Sequence, residues 1–506
     1  MTSSITLDGA SLTIADVVAV ARSGARVALA DGARDGMRQT RGVVESILRR
    51  GEPVYGVNTG FGKLSEITIP PEQLEALQRN LVRSHAAGVG NSLSDEIVRA
   101  MIVLRANVLA KGHSGARPEI VDTLLAMLAN DVVPIIPEHG SVGASGDLAP
   151  LAHLALALIG EGRVRFRGRN SDTTSALAAV GVKPVTLAAK EGIALINGTQ
   201  AHTAIASLAV HDAAVLWETA NVAGAMSLEA LLGTPAPFDE RIHDVRGQSG
   251  QVRAAQRLRA LLADSEIRES HRHGDPRVQD AYALRCMPQV HGPAWDGLQF
   301  ATDLVARELN AATDNPLVFR DGTMLSGGNF HGQAVALASD VLAIALTNLA
   351  VMSERRIDRL VNPDLNQGLP PFLAVTPGLD SGLMMVQVTA ASLASECKLL
   401  SHPASVDSIP TDGNREDVVP MAMGAARKLR TIVDHVTHVL AIELLCAAAG
   451  VDCRAPLKPG RGVQSAHARV RALVAPQAGD RAPSGDITAL AHAIKSGAFV
   501  VTPGAS

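Results

Sequence analysis

Aromatic side chains are scarce in this 506-residue chain, at 2% of residues, and only two are tyrosines, Tyr55 and Tyr282. A core built almost without aromatic rings must pack on aliphatic side chains, so the two tyrosines are candidates for hydroxyl chemistry. Cysteine is also sparse: Cys286, Cys397, Cys446 and Cys453 lie far apart without CxxC spacing. That excludes a disulfide frame and reads as small hydrophobes kept in a reducing compartment. Neither charge dominates, with 46 basic against 50 acidic residues and a net charge of −4. Nothing there favours a nucleic-acid or membrane partner. No uninterrupted apolar run reaches the ~18 residues of a spanning helix, since Glu443 breaks the stretch from Val439 to Val451. The opening MTSSITLDGASLTIADVV has no basic region and carries Asp8 and Asp16 early, unlike a signal peptide. A soluble cytoplasmic protein is expected.

What is present is helical periodicity. Residues 72–88 place Leu74, Leu77, Leu81, Val82 and His85 on one stripe, so His85 faces an interior. Pro118 reads as a first-turn proline for a helix running to about Asn130. Arg163 to Arg169 alternates like a short edge strand, and Gly51 to Gly62 reads as a loop. Past residue 205 the pattern lengthens. Gln333–Val361 runs uninterrupted to Asn362-Pro363, about 43 Å of helix. Leu383–Ser401 and Met421–Val451 are comparable. Helices this apolar must be covered on most sides, first within the chain and then between chains. The fold class expected is mainly α. Residues 1–205 form an N-terminal domain of loops, helices and minor β structure, and 206–506 a long-helix bundle that also oligomerises.

The most informative segment is GSVGASGDLAPLAH, Gly140 to His153. Its glycines are compatible with a plain turn. A phosphate loop would want Lys-Ser/Thr after them, and a nucleophile elbow would want Gly, not Asp147, two after Ser145. The Ala144-Ser145-Gly146 triad offers something else. The Gly146 amide nitrogen can attack the Ala144 carbonyl carbon and close a five-membered ring. Loss of two waters leaves an imidazolone bearing a methylidene from Ser145. Glycine suits the attacking position because it tolerates the compressed backbone. The product is an electrophile, which ordinary side chains do not supply.

Other motifs gather around this one. Tyr55 lies in the glycine-rich YGVNTGFG. As a base near neutral pH it would have to titrate well below its usual ~10, helped by a cation or helix N-termini. Asn197 lies in INGTQ, and the run RDGTMLSGGNFHG ends in Phe330, His331 and Gly332. In VQDAYALRCMPQVHG, Gln279, Tyr282 and Arg285 stand three apart, on one side of a helical turn, and arginine suits a carboxylate. His271, His273 and Asp275 sit in a polar run without metal-site spacing, so no metal is expected. Glu416, after the TDG turn, is either a cap for the last long helix or a group facing a ligand.

Taken together these motifs resemble the aromatic amino acid ammonia-lyases over almost the whole chain, from about Leu7. The resemblance implies that Ala144, Ser145 and Gly146 form a methylidene-imidazolone autocatalytically, with no external cofactor. It implies Tyr55 and Tyr282 as catalytic tyrosines, Glu416 as the alternative base, and Arg285 on the substrate carboxylate. Asn197, Gln279 and Phe330 would line the site. It also implies a homotetramer whose sites draw on several subunits. Ser84-His85 with Glu416 is the family's histidine-type pattern, and such groups can satisfy the nitrogens of a buried imidazole. The implied reaction is deamination of L-histidine to trans-urocanate and ammonia. Arg415 and Val418-Val419-Pro420 depart from that pattern. Tyrosine or phenylalanine deamination, a 2,3-aminomutase and a silent helical scaffold stand as alternatives.

Overall fold

The computed structural model describes residues 4–500. It is 59% helical, with 19 helices and little sheet. The described chain packs as two compact units, each discontinuous in sequence. Of the described residues, the first takes 4–211, 302–340 and 403–427; the second takes 212–301, 341–402 and 428–500.

In the first unit, the helix Leu74–His85 buries Leu74, Gln78, Leu81 and Val82. It crosses the short helix Glu191–Ile196 closely at Gly192, whose amide donates to Gln78 Oε1 at 2.8 Å. A Cβ at Gly192 would lie 2.9 Å from the Gln78 carbonyl oxygen, so only glycine permits the crossing. This contact brings His85 and Asn197, at the two helix ends, toward one place. Pro118 opens the helix Pro118–Ala129 at its first turn, where its missing amide costs nothing. The strand Arg163–Phe166 is central rather than at an edge. It pairs antiparallel with Val132–Pro134 on one side and Arg169–Asp172 on the other. The reason is the turn at Arg167-Gly168, both at positive φ, which folds the chain back as a tight hairpin.

The second unit holds most of the long helices' apolar length. Gln333–Val361 ends where the sequence predicts, and Met384–Leu400 and Ala422–Asp452 follow within a residue of expectation. Two of these, Gln333–Val361 and Ala422–Asp452, are long and apolar enough to cross a membrane by length and composition. Their apolar windows are 67% and 78% buried within the protein, as core helices are. Glu443, the residue that breaks the apolar run, is fully buried and paired. Arg356 donates to its two oxygens at 2.5 and 2.9 Å, and Ser227 and Ser353 add hydroxyls at 2.7 and 2.6 Å. Trp217 donates to the His291 carbonyl at 2.7 Å, and burial pushes that histidine well below its usual range, so it stays neutral.

Candidate active site

The Ala144-Ser145-Gly146 segment lies between the strand Pro137–His139 and the helix Leu148–Leu158. Gly146 sits at φ +72°, and a side chain there would collide with the Gly198 carbonyl. The next amide, Asp147, donates to that same carbonyl at 2.7 Å, and Asn197 Nδ2 donates to the Ser145 carbonyl at 2.8 Å. Asn197 Oδ1 is buried without a partner. The triad is therefore pinned from one side by the Asn197-Gly198 turn, with no room for a residue larger than glycine at position 146.

Asp147 knits the loop to its neighbours. It is fully buried, and its Oδ2 accepts the Ala201 and His202 amides at 2.8 Å each, capping the helix Gln200–Ala230. Its Oδ1 accepts Ser141 Oγ at 2.7 Å. Burial works against its charge, but the His202 ring at 2.8 Å and these donors outweigh burial and hold the carboxyl below its usual range. Two further helix starts arrive at the loop: Gly332 N donates to the Gly143 carbonyl at 3.0 Å, and Ala422 N to the Val142 carbonyl at 3.3 Å. Four helix N-termini thus converge on residues 142–147, a setting that favours negative charge.

Seven of the residues singled out from sequence line a single cavity of about 800 Å³: Tyr55, His85, Ala144, Ser145, Asn197, Phe330 and Glu416. Glu416 precedes its long helix by several residues and is not a cap. Its Oε1 accepts the Ser145 hydroxyl and its Oε2 the Thr411 hydroxyl, across a short antiparallel bridge. His85 ends its helix half-buried, its Nδ1 2.9 Å from the Leu81 carbonyl. A carbonyl can only accept, so Nδ1 carries a proton and Nε2 is the ring nitrogen left for a ligand. Tyr55 packs edge-on to Phe61, 6.2 Å between centroids. Its phenol is pushed up, not down: burial is the largest cause, Asp412, Asp314 and Glu416 add to it, and the Gly62 amide only partly opposes. The lowering that a base near neutral pH would need is not met within the chain, chiefly because the ring is buried and secondarily because carboxylates stand near it.

Gln279, Tyr282 and Arg285 belong to the second unit, where they line a separate cavity of about 410 Å³ with Arg277 and Arg359. Tyr282 is 69% exposed, and the Arg285 guanidinium stands 4.6 Å over its ring. The His271 ring lies 3.2 Å from Asp275, which is itself paired with Arg277 at 2.7 Å. Asn315, Asp412 and His331 also line the large cavity; the last two stand in motifs already noted, though neither was assigned to a site. His331 was adjacent to Phe330 in a motif already noted, so neighbourhood was the available signal.

The donor set suits a group made from the triad itself. Gly146 at positive φ, the Gly198 carbonyl against it and the Asn197 side chain on the Ser145 carbonyl all lie at those atoms. A family model described as aromatic amino acid lyase matches residues 12–472. A histidine ammonia-lyase of Anaeromyxobacter sp. (strain K) is 56% identical over 500 residues, covering 97% of this chain and 98% of the relative. The solved histidine ammonia-lyase from Trypanosoma cruzi superposes with a TM-score of 0.91 at 45% identity, covering 98% and 94% of the two chains. A tyrosine aminomutase from Streptomyces globisporus gives a TM-score of 0.93 at 38% identity, covering 98% of both. By full-length similarity and by the cluster around Ser145, this chain belongs to the aromatic amino acid lyase family, whose members are carbon–nitrogen lyases.

Proposed function

We infer that the chain removes ammonia from L-histidine without oxidation and yields trans-urocanate. The observation that carries this reading is the meeting of His85 and Glu416 in the cavity that also holds Ser145. The Glu416 carboxylate can accept from an imidazole N–H while the His85 ring meets the other nitrogen, whereas a phenyl ring would leave both groups unpaired at a cost. The group formed from Ala144-Ser145-Gly146 supplies an electrophilic carbon that makes the substrate amine a good leaving group. Asn197 holds the triad's carbonyl, and the four helix N-termini favour negative charge developing at the loop. Tyr55, or alternatively Glu416, takes the β-proton.

Arg285 fixes the substrate carboxylate and Tyr282 assists proton traffic, with Gln279 beside them. In this reading all three reach the site from neighbouring copies in a homotetramer. Arginine brought to Tyr55 in that way would also offset the carboxylates that keep its phenol protonated. Four free thiols, two of them buried, suit a cytoplasmic setting. The test is a substrate panel on purified protein, followed by absorbance. Urocanate from L-histidine supports the reading. Coumarate or cinnamate from L-tyrosine or L-phenylalanine, or a β-amino acid, with no urocanate, would replace it by one of the sister reactions.

A further inference from the structure

Behind the Asn197-Gly198 turn lies an arginine with no part in the reaction. Arg105, on the helix Asp95–Ala110, is fully buried. Its Nη1 donates to the Ala194 and Asn197 carbonyls, both at 3.0 Å, and its Nη2 to Gln200 Oε1. Gln200 in turn donates to Thr313 Oγ1 at 2.9 Å. One guanidinium therefore ties the end of the helix Glu191–Ile196 to the start of Gln200–Ala230, across the turn that pins the triad. The fit is close. A Cβ at Gly198, which sits at φ +144°, would stand 2.6 Å from Gln200 Oε1, 2.7 Å from Arg105 Nη2 and 2.8 Å from Thr313 Oγ1. Burial pulls the guanidinium down to about 10, with Asp314 and Asp147 opposing, so it keeps its charge at neutral pH.

We propose that Arg105 is a positioning residue for maturation: by gripping the 194–200 turn it holds the Gly198 carbonyl and the Asn197 amide against Ala144-Ser145-Gly146, keeping that backbone compressed for ring closure. This rests on the proposed formation of the group from those three residues. The step served forms one bond, Gly146 nitrogen to Ala144 carbon. One water carries off the Ala144 oxygen with the amide hydrogens of Gly146 and Ser145. The other carries off the Ser145 hydroxyl with its Cα hydrogen. Nothing is oxidised or reduced overall, and no co-reactant is needed.

The guanidinium's planar fork matters here more than its charge. Lysine keeps the charge but, as a single point donor, cannot hold three acceptors in fixed directions. The test is Arg105→Lys, with intact mass measured at successive times after synthesis on folded, purified protein, alongside circular dichroism and melting temperature. Wild type is expected to lose the mass of two waters completely. Arg105→Lys is expected to fold yet lose that mass about 10²-fold more slowly, the penalty of a small misplacement of reacting atoms. A merely structural role would lower the melting temperature while leaving the folded fraction fully dehydrated at the wild-type rate, and that result overturns the proposal. Should Arg105→Lys fail to fold, Gln200→Met decides instead. It keeps the shape and removes one acceptor, so retained mass supports the proposal and wild-type loss overturns it. Wild type that itself keeps both waters would defeat the underlying reading, and this inference with it, in the control and independently of any variant.

Discussion

Two carboxylates illustrate how differently this molecule uses a buried or half-buried charge. Glu443, in the second unit, is fully buried and met by the Arg356 fork and two serine hydroxyls. Glu416, in the first, is held by the hydroxyls of Ser145 and Thr411, and among the described residues no cation is hydrogen-bonded to it. The first arrangement neutralises a charge on rigid helices and leaves nothing over. The second leaves a carboxylate positioned beside a reactive segment and able to change partner. The same contrast separates Asp147, capped by backbone amides at the loop, from the apolar surroundings of the long helices.

The largest effect is expected at the reactive end of the comparison. Ser145→Ala removes the only source of the alkene carbon, so turnover should fall by at least about 10³-fold, some 4 kcal/mol of barrier. Melting temperature should barely move, because the Ser145 side chain is only half-buried. A folded variant with near-normal turnover would sink the chemistry proposed for the triad. At the structural end, Glu443→Ala leaves Arg356 buried and unpaired, and should cost about 3–5 kcal/mol of stability. Thermal unfolding checks it. The contrast sharpens if kcat at low temperature stays near wild type.

Part of this was legible in sequence and part was not. The helix Gln333–Val361 was readable to the residue because Asn362-Pro363 stops it, and Pro118–Ala129 because proline tolerates the first turn. Local chemistry decided both. Ala144-Ser145-Gly146 could be read because its reactivity is contained in three consecutive residues. Glu416 was ambiguous because its partners, Ser145 and Thr411, are fixed only by folding. The raised Tyr55 phenol was not legible for a similar reason: its burial is a product of folding, and Asp314 and Asp412 are remote in sequence. The discontinuity of the two units is equally a tertiary fact, since the chain crosses at 301/302 and 340/341 inside the helices that run over residues 287–308 and 333–361.

A third carboxylate tests whether a partnering cation is what makes Glu443 tolerable. Glu229, in the second unit, is buried with the Gly460 amide 3.0 Å from each oxygen and Ser265 nearby, but among the described residues no cation pairs with it. Burial pushes it up to about 7 from 4.5, against those hydrogen bonds. With the folded value raised, the proton stabilises the fold fully below pH ~4.5, and that stabilisation is lost as pH rises through about 7. Glu229→Gln should therefore be more stable than wild type at pH 8, by up to about 3 kcal/mol, and show no such gain at pH 4. Equal melting differences at the two pH values would refute the account.

The smallest effect is expected at Asp412, where the comparison turns from stability to reactivity. Its carboxylate stands at Gly62, whose amide meets the Tyr55 hydroxyl, and it is one of three acids that keep the phenol protonated. If Tyr55 is the base, activity rises with pH as the phenol loses its proton. Removing one negative neighbour lowers the pH at which that happens. Asp412→Asn should therefore move the rising limb of kcat/KM to lower pH, by only about half a unit because an exposed charge is screened by water and salt. Glu416→Gln distinguishes the rival base: if Glu416 takes the proton, the rising limb disappears in that variant, whereas if Tyr55 does, the limb persists and shifts in the same direction as for Asp412→Asn. A limb that moves to higher pH in Asp412→Asn would mean that the carboxylate assists ionisation, and the sign of the electrostatic argument at Tyr55 would be wrong.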